Sequence, residues 1–196
     1  MDNTRAQIVN AADRLFYQQG YANTSFSQIA QEVQISRGNF YYHFKSKDDI
    51  LTAVIEHRLQ HTQQLLEHWQ DEGHGPKQRI ACFIRILLNN QLPIRQFGCP
   101  VGTLTSELAK LQHLNKAQAA QLFTLFKDWL SQQFRQLGYP QRADSLALHL
   151  LARSQGIATL ANAFDDQGFI EQEVQLLMAW LDQLSQAAEP SAEGEH

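Results

Sequence analysis

The sequence predicts an all-α protein of about nine helices, and three observations support this fold class. Apolar residues recur three or four positions apart along nearly the whole chain, which is the spacing of one face of a helix. The alternation of apolar and polar residues that is typical of a strand is absent. The five prolines fall where the helical periodicity has already broken, as their fixed φ and missing N–H require.

The first three predicted helices are short and closely spaced. They cover about residues 4–19, 26–33 and 37–44. Gly20 ends the first helix, because glycine readily adopts the left-handed conformation of a C-terminal cap. Ser25 and Gln28 have capping-box spacing at the start of the second helix, and Ser36 caps the third. The three residues between the second and third helices match the turn of a helix-turn-helix.

The later predicted helices form a larger helical body. They lie at about residues 46–69, from 76 onward, and at 103–111, 116–137, 142–164 and 169–187. Ser46 caps the fourth helix, Pro76 begins the fifth, and Pro140 follows the end of the seventh. Residues 91–102, with the sequence QLPIRQFGCPVG, are predicted as an irregular link, and the polar residues 188–196 as a disordered tail.

Charge is distributed unevenly along the chain. Residues 1–47 carry five basic and three acidic side chains, whereas residues 48–196 carry 11 basic and 17 acidic ones, so a basic head precedes an acidic body. No apolar run reaches the ~18 residues of a membrane span, and no signal-peptide pattern is present, so we expect a cytoplasmic protein. Cys82 and Cys99 are the only cysteines, too few for a disulfide framework or a cysteine-rich zinc site.

The third predicted helix has one narrow apolar side and an outward face of polar and aromatic residues. On a wheel of about 100° per residue, Phe40 and Phe44 share the buried side. The other positions hold Arg37, Gly38, Asn39, Tyr41, Tyr42 and His43. Asparagine can bond adenine, tyrosine can contact phosphate or a thymine methyl group, and glycine leaves room for a base edge. The pattern predicts a helix that reads DNA; the alternative is a surface helix with incidental tyrosines.

Phosphate contacts are predicted on either side of this helix. Thr24, Ser25 and Ser27 supply hydroxyl and N–H groups at the start of the second helix, which is a phosphate-binding geometry. Lys45 and Lys47 follow the third helix directly. Together these groups extend the predicted DNA-binding surface beyond the third helix.

Residues 5–55 resemble the DNA-binding head of the TetR family of one-component transcriptional repressors. The resemblance rests on the lead G-Y-x-x-T-S, the I-A of the second helix and the run Y-x-H-F-x-S-K. It implies a homodimer that binds a palindromic operator of double-stranded DNA and is released when a small ligand enters the C-terminal domain. It also implies phosphate contacts by Tyr41 and Lys47, with the residues near bases being Arg37, Gly38, Asn39, Tyr42 and His43.

The resemblance implies a division of the chain by function. A helix-turn-helix DNA-binding domain is expected at residues 1–47, a ligand-binding and dimerisation domain at 48–187, and the tail at 188–196. The last two helices are rich in leucine and small residues, which favours a four-helix dimer interface. The residues predicted there are Leu146, Leu150, Gly156, Ile157, Ala161, Val174, Leu177 and Leu181. The alternative is that this apolar stripe is buried within one chain.

A pocket for a small apolar or aromatic effector is predicted among the fourth to seventh helices. Its candidate lining residues are Phe83, Leu87, Cys99, Leu104, Leu108, Phe126 and Trp129. For each apolar residue among them taken singly, an ordinary core position is the favoured alternative. Cys99 lies between Gly98 and Pro100, and some proteins that resemble this one use such a cysteine to sense electrophiles or oxidants. The alternative is an inert thiol.

Other functional classes find little support in the sequence. Without a Gly-rich phosphate loop or a nucleophile elbow, we expect neither an enzyme nor a bound cofactor. His57, His61 and His68 lie near one side of the fourth helix, but no carboxylate or cysteine follows at a matching position, so no metal site is predicted. Transcriptional activation, and a helical small-molecule binding protein without specific DNA recognition, remain open alternatives.

Overall fold

The computed structural model describes residues 3–166 and 168–188, and every regular element in these ranges is an α-helix. The helices are α1 (Asn3–Gln19), α2 (Phe26–Val33), α3 (Arg37–His43), α4 (Lys47–Glu72), α5 (Pro76–Asn89), α6 (Gln91–Phe97), α7 (Pro100–Lys110), α8 (Lys116–Gln136), α9 (Ala143–Phe164) and α10 (Phe169–Ala188). The predicted all-α fold class is confirmed. Of the predicted tail, only Ala188 lies within the described residues, where it ends α10.

The predicted irregular link at residues 91–102 is wrong, because most of it is helical. Its first seven residues form α6, and α7 begins at Pro100. Proline does not prevent either helix, since Pro93 and Pro100 lie in first turns, where the N–H has no partner within the helix. Only Gly98 and Cys99 separate the two helices, so the described chain has ten helices rather than about nine.

The first of two compact units combines the described residues up to Gln63 with Pro100–Phe123. Helix α1 packs against both α2 and α7, and α2 packs against α3. Its buried core draws on all of these helices and on the start of α4; the members include Ile8, Ala12, Phe16, Ile29, Phe40, Phe44, Leu51, Val54, Leu104 and Leu108. Helix α7 therefore shares a core with the helix-turn-helix, although it follows that motif by more than 50 residues.

The second unit comprises Gln64–Cys99 and the described residues from Thr124 onward. Helix α5 packs against α9 and α10, and α6 packs along α9. Two polar contacts fix α6 there, because Arg95 pairs with Asp165 at 2.7 Å and Asn162 Nδ2 donates to the Arg95 carbonyl at 2.8 Å. The assignment of separate functions to residues 1–47 and 48–187 stays a prediction, since compactness alone assigns no function.

Candidate nucleic-acid interface

Helix α3 is held to the head by its two phenylalanines. Phe40 is only 1% exposed and meets Phe26 of α2 edge to face at 5.1 Å, while Phe44 is buried beneath the Arg5 guanidinium. The Ser36 hydroxyl caps the helix by accepting from Asn39 N–H at 3.3 Å. Burial of large aromatic rings and a capped first turn give this short helix a defined orientation.

The opposite side of α3 faces outward. Gly38, Asn39 and Tyr42 are exposed; Tyr42 is 77% exposed, and the space around Gly38 is open to at least 4 Å from where a Cβ would lie. Tyr41 is half exposed and stacks on Phe26, and His43 meets Tyr42 edge to face. The structure therefore brings the six predicted α3 residues together, with most of the face accessible to a ligand as large as duplex DNA.

The start of α2 lies beside this face. Ser25 and Gln28 form a complete capping box, in which Ser25 N–H donates to Gln28 Oε1 at 2.7 Å and Gln28 N–H donates to Ser25 Oγ at 3.3 Å. Arg37 reaches from α3 to within 3.5 Å of Ser27 Oγ. Ser25, Ser27 and Arg37 are all exposed, so they join the α3 residues in one polar surface.

Two residues predicted to contact phosphate have other partners. Thr24 is 1% exposed, and its hydroxyl donates to the Gly20 carbonyl at 2.8 Å, so its side chain is not available to DNA. Lys47 Nζ donates to the carbonyls of Tyr21, Ala22 and Thr24 at 2.9, 3.4 and 3.1 Å. These three bonds use all the donors of an ammonium group. Both side chains hold the α1–α2 turn (residues 20–25), and we leave them out of the interface.

A charged cluster beside this turn was not predicted from the sequence. The Tyr21 hydroxyl donates to Asp48, and the His113 ring lies 3.4 Å from the same carboxylate oxygen. Burial, together with the hydrogen bond to Asp48 and the negative charges of Asp48 and Glu107, raises the pKa of Tyr21 above its ordinary range. The hydrogen bond from Tyr21 lowers the pKa of Asp48; His113 and Lys47 act in the same direction, against the effect of burial.

The predicted effector-binding residues do not form one group. Phe83, Leu87 and Phe126 are buried in the second unit, where the rings of Phe83 and Phe126 meet at 5.5 Å. Trp129 packs against Trp69 at 5.7 Å, and its Nε1–H is buried without a hydrogen-bond partner among the described residues. Leu104 and Leu108 belong instead to the core of the first unit, so we leave them out of the proposed pocket.

Cys99 lies in the two-residue break between α6 and α7. Its side chain is half-buried, and its Sγ accepts a hydrogen bond from Gln155 Nε2 of α9 at 3.4 Å. The sulfur is therefore in contact with a polar side chain.

The apolar stripe predicted for the dimer interface is buried within the single chain. This correction applies to Leu146, Leu150, Ile157, Ala161, Val174, Leu177 and Leu181. They bury because α9 and α10 pack on each other and on α5. Gly156 differs, since it is exposed and its would-be Cβ meets open space. The large apolar side chains that these two helices do expose are Leu148, Leu160, Phe164 and Leu176.

Neither a metal site nor a membrane span can be assigned to the described residues. Within them, no three His, Cys, Asp or Glu side chains are grouped as metal ligands, and His68 pairs with Glu72 at 3.0 Å. No helix in these ranges is both long and apolar enough to cross a bilayer.

Comparison with known proteins assigns the helix-turn-helix region to a sequence family. The sequence model of bacterial regulatory proteins of the tetR family matches residues 8–54. These residues contain α2, α3 and the polar surface described above. The match to this DNA-binding domain covers about a quarter of the chain, so relatives of greater length are needed to interpret the remainder.

Relatives extend the similarity over nearly the whole chain. An uncharacterized HTH-type transcriptional regulator in the lacX 3' region of Lactococcus lactis subsp. lactis is 28% identical over 179 residues, which are 89% of this chain and 91% of that protein. The HTH-type transcriptional regulator TtgR of Pseudomonas putida is 34% identical over 85 residues, 43% of this chain and 40% of TtgR.

A solved structure shares the complete fold. The TetR transcriptional regulator from Legionella pneumophila superposes with a TM-score of 0.81 at 26% identity, covering 93% of this chain and 97% of that one. The family match, the relatives and the fold agree with one another and with the resemblance noted in residues 5–55. Residues 8–54 therefore form a domain of the tetR family of bacterial regulatory proteins, and nearly the whole chain is similar to transcriptional regulators in sequence and in fold.

Proposed function

We propose that this regulator binds a palindromic DNA operator as a homodimer and represses transcription until a small effector releases it. The observation that carries the proposal is the orientation of α3: Phe40 and Phe44 are buried, whereas Gly38, Asn39 and Tyr42 face outward. A helix anchored in this way can enter the major groove with its outward face against base edges. The protein would act in the cytoplasm, where it can meet the chromosome.

Each residue of the interface is assigned one kind of contact. Arg37, Gly38, Asn39, Tyr42 and His43 are the proposed base-reading group on or beside the outward face of α3. Tyr41, Ser25 and Ser27 are assigned to phosphates, because they flank that face and include the exposed N-terminus of α2. Base contacts supply the sequence specificity, and phosphate contacts fix the register on the duplex.

The proposed dimer interface is the exposed face of α9 and α10. On α9, the small residues Ala152, Gly156 and Ala163 lie on one exposed strip, and the larger side chains beside them are Leu148, Leu160 and Phe164; Leu176 adds to this face from α10. Phe164 is 73% exposed in the single chain, whereas phenylalanine is usually buried. A strip of small residues between larger ones allows the backbones of two copies to approach closely.

The proposed effector is a small apolar or aromatic molecule that binds in the second unit. Phe83, Leu87, Phe126 and Trp129 supply apolar and aromatic surface there, and the Trp129 Nε1–H offers a hydrogen-bond donor. Such a ligand can release DNA only if it binds the DNA-free conformation more tightly.

A thiol-reactive effector is the second candidate, and the position of Cys99 favours it. Alkylation of Cys99 would break its contact with Gln155, which lies on α9. A maleimide should then release DNA from the natural protein but not from a Cys99→Ser variant. Equal release from both would rule out Cys99 as the sensor.

The proposed function is tested by selecting bound duplexes from a random pool. The repressor proposal predicts enrichment of a palindrome that competitor DNA does not displace and whose affinity falls steeply with salt. A small-molecule binding protein without DNA recognition would instead enrich no sequence. A reporter placed behind the selected operator then distinguishes repression from activation.

A further inference from the structure

The α1–α2 turn is held from two sides by opposite charges. Lys47 donates to carbonyls of the turn, as described above. On the other side, the Glu107 carboxylate of α7 accepts the N–H groups of Tyr21 and Ala22, each at 2.8 Å. Hydrogen bonds to an ionised group are stronger than neutral ones, so this carboxylate is a substantial anchor for the turn.

The backbone at Gly20 permits this contact. Gly20 has a φ of +87°, a conformation that other residues rarely adopt. A Cβ at this position would also lie 3.1 Å from Glu107 Oε1. The turn is therefore shaped to receive the carboxylate, both in its dihedral angles and in the space that it leaves open.

Helix α7 is joined to the head along its length. Leu104 and Leu108 are buried in the core of the first unit, together with Phe16 of α1 and Phe40 of α3. At the start of α7, Arg58 of α4 donates to the Pro100 carbonyl at 2.7 Å and pairs with Asp13 of α1 at 2.6 Å. The Arg58 side chain is only 11% exposed. Helix α7 thus contacts the head at its beginning, middle and end.

The turn connects directly to the DNA-reading surface. Ser25, which caps α2, closes the turn, and Phe26 follows at once and packs against Phe40 of α3. Arg37 also reaches Ser27 on α2. Since buried aromatic packing transmits displacement rather than absorbing it, a shift of the turn should move α2 and α3 together.

We propose that Glu107 is a positioning residue for operator binding and that α7 is a structural part of the DNA-binding unit. The inference rests on the proposed DNA-binding function and concerns a residue far outside the 8–54 segment that defines the family match. Helix α7 lies in the same compact unit as the helix-turn-helix, although more than 50 residues separate them in the chain.

The test replaces Glu107 by glutamine in the full-length protein. The Glu107→Gln variant should bind the selected operator at least about tenfold more weakly, because a neutral amide holds the turn less firmly. Amide hydrogen exchange at Tyr21 and Ala22 should become faster. Binding to unrelated duplex DNA should change little, since that binding depends on charge rather than on the placement of α3.

Two further variants serve as controls. Glu56→Gln removes one carboxylate from an exposed position on α4 in the same unit, and it should leave both measurements unchanged. Glu107→Asp keeps the charge but shortens its reach by one methylene group. Its operator affinity and its amide exchange rates should fall between those of the natural protein and Glu107→Gln. If Glu107→Gln does not fold, Glu107→Asp alone tests the proposal.

Three results would overturn the proposal. Unchanged exchange at Tyr21 and Ala22 would show that the carboxylate does not hold the turn. Faster exchange with unchanged operator affinity would show that Glu107 stabilises the turn without positioning the reading helix. If the natural protein selects no operator, the proposed function and the positioning role both fail, whereas the exchange measurement still decides whether the contact exists.

Discussion

At the scale of single residues, the head separates side chains that build it from side chains that are available to DNA. Phe40 and Tyr42 are two positions apart on α3, yet the first is buried and the second is 77% exposed. The same separation applies to the cationic residues, because Lys47 binds backbone carbonyls whereas Arg37 is exposed beside Ser27. A substitution should therefore affect either stability or DNA affinity, according to its position.

Replacing Tyr42 by alanine should weaken operator binding without reducing stability. Loss of one base or phosphate contact costs about 1–3 kcal/mol, which corresponds to roughly 5- to 150-fold in affinity. The ring is largely exposed, so the thermal midpoint should stay unchanged. Fluorescence anisotropy with labelled operator and thermal unfolding measure the two quantities.

Leu114→Ala is a suitable control, because Leu114 is 94% exposed in the same unit but lies outside the proposed interface. It should leave both quantities unchanged. Operator affinity that is the same for Tyr42→Ala and the natural protein would remove Tyr42 from the interface.

Asp48 makes the head sensitive to acid. The hydrogen bond from Tyr21 lowers the pKa of Asp48 in the folded protein below its ordinary value of 3.8. A lowered pKa means that the stabilising contribution is present above the unfolded-state value and is lost as pH falls through the folded-state value. The free energy of unfolding of the natural protein should thus exceed that of an Asp48→Asn variant by a constant amount near neutral pH. This difference should shrink below about pH 4.

Chemical denaturation at a series of pH values measures this difference. Tyr21→Phe removes the donor and should remove most of the pH dependence contributed by Asp48. An advantage over Asp48→Asn that persists unchanged down to pH 2 would contradict the assignment.

Part of the site could be predicted from sequence because it depends on local geometry. The spacing of Phe40 and Phe44 is sufficient to orient α3, and Ser25 and Ser36 act as caps at the predicted positions. The roles of Thr24 and Lys47 depend on how the α1–α2 turn folds back on the start of α4. Glu107 lies 85 and 86 positions from its two partners, so no local pattern could identify it.

At the scale of helices, an apolar stripe shows that a helix is covered on one side but not what covers it. The stripe of α9 and α10 fits a dimer interface and a core within one chain equally well by periodicity. The structure places it in the core and leaves a second, weaker strip of small and large apolar residues exposed. A similar ambiguity affected residues 91–102, where Pro93 and Pro100 suggested a loop but lie in the first turns of α6 and α7.

Gly156→Glu should dissociate the proposed dimer while leaving each chain folded. Gly156 lies in the interior of α9, where glycine is about 1 kcal/mol less favourable than alanine, so glutamate should favour the helix. In a symmetric interface, two glutamates would meet near the centre and obstruct close approach of the backbones. Sedimentation should change from twice the chain mass to the 22.4 kDa of one chain.

Gln132→Glu adds the same charge at an exposed position of α8 and should leave the dimer intact. Circular dichroism should show equal helix content in both variants and the natural protein. A Gly156→Glu protein that still sediments as a dimer would place the interface elsewhere.

At the scale of the whole molecule, one short reading helix is insufficient for specific binding. A single α3 offers few base contacts, and a +2 net charge over residues 1–47 provides only modest attraction to phosphate. Two copies held at a spacing of about 34–36 Å would double the base contacts on successive major grooves. The acidic body disfavours other placements on DNA, so binding should depend on both heads engaging together.

The most direct test of this account is the number of chains bound to the selected operator, measured by analytical ultracentrifugation on a full palindrome and on a single half-site. The account predicts two chains on each full palindrome and far weaker binding to the half-site, with a Tyr42→Ala variant weakened on the full site. One chain per duplex, bound as tightly to the half-site as to the palindrome, would contradict it.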